Sequence, residues 1–78
     1  MTAKNTRRLS PKKLLLSKWT AAIPRGKEKH FIVTKLIPAE LPAAPIACVE
    51  IEAIYSRRSF AIPWRELKDA SRWLQGWV

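Results

Sequence analysis

Residues Ala47–Trp64 constrain this chain more than any other stretch. Val49, Ile51 and Ala53 alternate with Glu50 and Glu52, and Phe60, Ile62 and Trp64 alternate after a basic turn at Ser56-Arg57-Arg58. A period of two is the pattern of a half-buried strand, and two such runs joined by a short polar turn predict a β-hairpin. A lone hairpin is not stable in water, so the remaining segments must pack against it.

Those segments are few. The chain has 78 residues, enough for one small domain. The apolar fraction of 47% is that of a globular protein. Cys48 is the only cysteine, so neither a disulfide framework nor a multi-cysteine zinc site can supplement a thin core. A single thiol fits a reducing compartment, and a cytoplasmic location is expected. Four tryptophans, each able to bury roughly 150–250 Å², are the expected source of extra core.

Taken in order, Met1–Leu9 is polar and basic without hydrophobic period and reads as a disordered arm, leaving 10–78 as the folded domain. Ser10-Pro11 is a helix start, predicting a short helix to about Ser17 with Leu14, Leu15 and Trp19 toward the core. Trp19–Ile23 reads as a strand, Pro24–Lys27 as a turn, and His30–Ile37 as the strongest strand. That last run is apolar on both faces, as a central strand would be. Three prolines in Pro38–Pro45 predict a surface loop. From Trp64 onward, Leu67, Ala70, Leu74 and Trp77 recur at helical spacing, which predicts a C-terminal helix. The expected class is therefore α+β: a twisted four-stranded antiparallel meander or partly open barrel, with a short N-terminal helix and a C-terminal helix.

Pro11-Lys-Lys-Leu-Leu-Leu-Ser-Lys-Trp-Thr-Ala21, Glu28-Lys-His-Phe31, Trp64-Arg-Glu-Leu-Lys-Asp69 and Trp73-x-x-Gly-Trp77 together resemble the short Trp-rich bacterial family known as a domain of unknown function. The likeness covers nearly all of Pro11–Trp77. It implies a small bacterial protein and brings no activity or catalytic residues, so function must be argued from charge and chemistry.

The formal net charge is +9, and residues 1–29 hold nine basic residues against one acid, Glu28. Such asymmetry predicts a face for a polyanion. Arg7, Arg8, Lys12, Lys13, Lys18, Arg25, Lys27 and Lys29 are expected to contact phosphates, with Arg57, Arg58, Arg65 and Arg72 extending the surface. Trp19 and Trp73, each beside a cation, are the candidates for stacking on unpaired bases, while Trp64 and Trp77 fit the apolar stripe and are expected in the core. Glu50 and Glu52 share a strand face and are expected to pair with Lys or Arg across the sheet. His30 is the only histidine and has no second metal ligand nearby, and Cys48 reads as a packing residue. No Gly-rich phosphate loop or nucleophile arrangement stands out, so neither an enzyme nor a cofactor is expected.

Leu14-Leu15-Leu16 is far short of the ~20 apolar residues of a membrane span, and no membrane partner is expected. The reading that follows is a small basic nucleic-acid-binding module, with RNA favoured over DNA. The alternative is an adaptor that docks its basic and Trp residues on an acidic protein surface. The oligomeric state stays open, although an uncovered sheet edge could pair with a second copy.

Overall fold

The computed structural model describes residues 9–38 and 46–78. The arm expected at Met1–Leu9, with Arg7 and Arg8, and the loop expected at Pro38–Pro45 fall outside them except for Leu9 and Pro38. Leu9 is half-buried against the core.

Five strands, β1 (Lys18–Arg25), β2 (Glu28–Ile37), β3 (Cys48–Ala53), β4 (Ser59–Pro63) and β5 (Trp73–Gln75), form one sheet in the order β4-β3-β2-β1-β5. Every pairing is antiparallel. Single 3-10 turns at Pro11–Lys13 and Trp64–Lys68 are the only helical elements among the described residues. The class is all-β, which corrects the α+β expectation. The sheet is open, with β4 and β5 as edges.

The meander β1–β4 arises where the alternation predicts it. Gly26-Lys27 closes the first hairpin, and the positive φ of 59° at Gly26 is the conformation glycine adopts without strain. β2 is the middle strand. Its apolar residues on both faces are explained by a register shift between Val33 and Lys35. Thr34 is the extra residue, so Phe31, Val33 and Leu36 all reach the core side, opposite Ala53, Ile51 and Val49.

The two expected helices fail for the same reason. Ser17 already pairs with β2, since the Val33 amide donates to its carbonyl at 3.0 Å and the Leu16 amide donates to the Val33 carbonyl at 2.8 Å. That pairing stops the N-terminal turn after one round. In the C-terminal segment, Asp69 is extended (φ −90°, ψ 104°). Its carboxylate accepts the Ser71 amide and hydroxyl at 2.9 and 2.6 Å, which competes with helical bonding. Trp73, Leu74 and Gln75 then pair with Ala21, Thr20 and Trp19 of β1. An edge of β1 left without partners would cost more than the helical propensity of a segment holding Ser71, Gly76 and two tryptophans can supply. Of the predicted stripe, only Leu67 is buried; Leu74 and Trp77 are exposed.

One face carries the core: Leu14, Trp19, Phe31, Val33, Val49, Ile51, Ala53, Ile62, Leu67 and Trp73. Leu14 and the Trp64–Lys68 turn cover it. The molecule is 16 Å through its thinnest direction, room for one sheet and a single covering layer. On the opposite face, Gly76 (φ 80°) swings the chain back so that Trp77 lies against His30, with ring centroids 5.8 Å apart, and donates to the Phe31 carbonyl at 2.9 Å.

Thr20 holds that return. It is buried, its hydroxyl donates to the Gly76 carbonyl at 2.6 Å, and it accepts the Val78 amide at 3.1 Å. Thr20→Val conserves shape and strands both backbone groups. It is expected to cost about 1–2 kcal/mol, lowering Tm by about 4–8 °C per kcal/mol at this size, and to shift the Trp77 fluorescence. An unchanged Tm and spectrum would show that the hydroxyl does not anchor the segment.

Candidate nucleic-acid interface

In an antiparallel meander the Gly26-Lys27 turn and the Ile54–Arg58 turn lie at the same end of the sheet. β5 runs against β1 and begins opposite Ala21, so the Asp69–Arg72 segment reaches that end too. Arg25, Lys27, Lys29, Arg57, Arg58 and Arg72 are thereby gathered at what we call the upper end, although they span 48 positions of sequence. Lys18 begins β1, about 23 Å from Arg25 along the strand at ~3.3 Å per residue. By register it lies in the row of Ile32, Glu52 and Ser59, and Lys12 and Lys13 lie on the turn that leads into it. The N-terminal cations are thus strung along β1 and its approach rather than gathered at one point. Arg65 lies on the Trp64–Lys68 turn, its guanidinium 5.7 Å from the Trp64 ring centroid.

The upper end holds a cleft of about 450 Å³, within the volume range of small-ligand sites. Its floor is aromatic. Phe31 meets Trp73 edge-on at 5.1 Å between centroids and Phe60 at 6.2 Å. Its walls include Arg25, Arg58 and Arg72, with Glu28 and Glu66 between them and the exposed Ile23 at the rim.

The charges in the walls are ordered. Arg58 donates twice to Glu28, at 2.6 and 3.0 Å, while its guanidinium lies 4.8 Å from the Phe60 ring centroid. Ser56 also donates to Glu28. Arg72 pairs with Glu66 at 3.6 Å, and Glu66 accepts the Trp73 indole N–H at 3.1 Å. Arg57 pairs with Glu52 at 3.0 Å, as expected for that face, and Glu50 accepts the Thr34 hydroxyl at 3.0 Å. Arg25, Lys27 and Lys29 form no ion pair among the described residues, although the Lys27 ammonium stands 5.5 Å from the Tyr55 ring centroid. They are the cations left to neutralise a ligand; the paired arginines are held in place to orient one.

The Arg58 hydrogen bonds, followed by the Ser56 bond, pull the Glu28 carboxyl from 4.5 to about 2. A lowered pKa in the folded state stabilises the fold above the unfolded value. That contribution is lost as pH falls from about 4.5 toward 2. Glu28→Gln is expected to flatten the acid side of the stability–pH curve in that window, by a small amount because the pair is solvent-screened. An acid limb identical to wild type would sever the link between this pair and stability.

The indoles are placed otherwise than expected. Trp19 is 1% exposed and Trp73 6%, so neither is a free stacking platform. Trp19 is locked beneath the sheet, its N–H donating to the Ser17 hydroxyl at 2.8 Å. Trp73 contributes to the cleft floor only. Trp77, expected in the core, is 41% exposed, and Trp64 is half-buried. The sequence reading missed Phe31 and Phe60 as part of the site, although the alternation that places Phe31 on the core face held the signal. It also missed Glu28, whose solitude among cations marks it as an internal counter-ion.

His30 and Cys48 do not meet, because Cys48 pairs with Ile37, seven residues along β2 from His30. Cys48 is half-buried. Among the described residues no group of three His, Cys, Asp or Glu is placed to hold a metal, and no helix is long and apolar enough to cross a membrane.

The family model described as Tryptophan-rich protein (DUF2389) matches residues 17–78. No curated protein and no solved structure matches the chain.

Proposed function

The chain belongs to the Tryptophan-rich protein (DUF2389) family, a domain of unknown function, and from its own geometry we propose that it is a non-catalytic RNA-binding module working at the upper end of the sheet. The observation that carries this reading is the cleft, where an aromatic floor of Phe31, Phe60 and Trp73 lies beside Arg25, which has no ion pair among the described residues, and the oriented Arg58 and Arg72. An apolar aromatic floor suits a base turned out of its stack, and guanidinium groups at its rim suit the attached phosphate. Lys27 and Lys29 extend the phosphate track along the first hairpin. Buried Trp73 presents only part of its surface, so the base is expected to rest mainly on Phe60 and the Arg58 plane.

RNA is favoured over DNA because single-stranded loops and bulges offer splayed bases of this kind, whereas an open sheet with short tips presents no helix for the major groove. Anisotropy of a labelled single-stranded RNA, titrated with the full chain at several salt concentrations, tests the reading. Log affinity is expected to fall by ~0.7 per neutralised phosphate per decade of salt. Millimolar binding at low salt with no salt slope would end it. Partners that survive nuclease treatment in a pull-down would instead favour an acidic protein surface.

A further inference from the structure

The turn that leads into β1 carries a different combination of groups. Leu14 turns inward and is 4% exposed, but Leu15 and Leu16 are 48% and 64% exposed. Leu16 sits at φ 65°, a backbone conformation that L-residues with a Cβ adopt at a cost. Neither Leu15 nor Leu16 is among the side chains that pack on the core. The turn is nonetheless firmly held: the Leu16 amide donates to Val33 at 2.8 Å, and the Ser17 amide and hydroxyl both donate to the Leu14 carbonyl, at 2.9 and 2.5 Å. A glycine would fit position 16 without strain, so folding alone does not account for an exposed leucine there. Strain of this kind, maintained by the surrounding structure, points toward use.

Cations flank the pair in sequence. Lys12 and Lys13 are exposed and form no ion pair among the described residues. Lys18 lies 4.9 Å from the centroid of the Trp77 ring, at the point where the Gly76 amide bonds to the Lys18 carbonyl. The sequence holds no acid before Glu28, and it adds Lys4, Arg7 and Arg8 upstream.

We propose that the Leu15–Leu16 turn, with Lys12, Lys13 and Lys18, is a docking element for the surface of an anionic lipid bilayer. Too few apolar residues to span a membrane are still enough to rest on one, which needs only shallow apolar insertion together with cations for the headgroup phosphates. Trp77 beside Lys18 adds an amphipathic ring suited to the headgroup depth. RNA would satisfy the lysines but leave both leucines in water. A lipid surface takes up both kinds of group at once, and that match of charge and apolarity selects it. None of these residues lines the upper-end cleft.

Vesicle co-sedimentation of the full chain decides the matter, using phosphatidylcholine alone and phosphatidylcholine mixed with phosphatidylglycerol. The chain is expected to sediment with the mixed vesicles only, and less as salt is raised. Lys12→Gln with Lys13→Gln should weaken partitioning by about thirtyfold. Leu16→Gly should weaken it by about tenfold while Tm stays level or rises and RNA affinity is unchanged. That split separates a docking leucine from a structural one. Equal sedimentation with neutral vesicles, a Leu16→Gly protein that binds like wild type, or no sedimentation with either vesicle would each overturn the proposal.

Discussion

Trp19→Ala is expected to leave the domain largely unfolded at 25 °C, with no cooperative thermal transition. Trp19 is the largest side chain that is fully buried, opposite Phe31 in register and hydrogen-bonded through its indole to Ser17. Removing a buried tryptophan costs about 3–5 kcal/mol in transfer and cavity energy. A core in a domain this small supplies only about 3–5 kcal/mol net, so the loss and the total are of the same size. One sheet with a single covering layer has no second core to fall back on. The same substitution also leaves Ser17 without its indole donor, at the point where β1 joins β2. Trp19→Phe keeps most of the apolar area and should retain a cooperative transition at lower Tm. A Trp19→Ala protein that melts cooperatively within a few degrees of wild type would show that stability resides elsewhere.

Neutralising Arg25, Lys27 and Lys29 together as Gln is expected to lower RNA affinity by about a hundredfold at ~0.1 M salt and to reduce the salt slope by about 2. Each cation that meets a phosphate releases counter-ions worth ~0.7 in the slope for a single strand, and these three are the upper-end cations without a carboxylate partner among the described residues. Their side chains are exposed and absent from the core, so melting should be nearly unchanged. Neutralising Lys12 and Lys13, which do not line the cleft, should leave RNA affinity close to wild type, which makes them the internal control. Equal losses from the two sets would place RNA contact over the whole surface and dismiss the cleft as its centre.

The interface was legible only in part. Every cation of the upper end was named from charge alone, because a run of lysines and arginines needs no coordinates to be seen. Their grouping was not, since it depends on which turns lie at which end. Lys18 and Arg25 are seven positions apart, yet they stand at opposite ends because the strand between them is extended. Arg25 and Arg72 are 47 positions apart and line one cleft. Indole exposure was inverted for a similar reason. On a helix, Trp77 shares a face with Leu67. On a strand followed by Gly76, it is Trp73 that turns to the core, and Trp77 passes to the opposite face.

Local pattern alone determined the four-strand meander, a turn within Pro24–Lys27, the central place of β2 and the excess of positive charge, because alternation, turn chemistry and composition are properties of neighbours in the chain. Tertiary structure decided that Trp73–Gln75 is a strand and not a helix, that Arg25, Arg58 and Arg72 line one cleft, and which indoles are sealed. A segment of mixed propensity takes the form its surroundings leave unsatisfied. Here that was the bare edge of β1, whose backbone donors and acceptors required partners only another strand could provide.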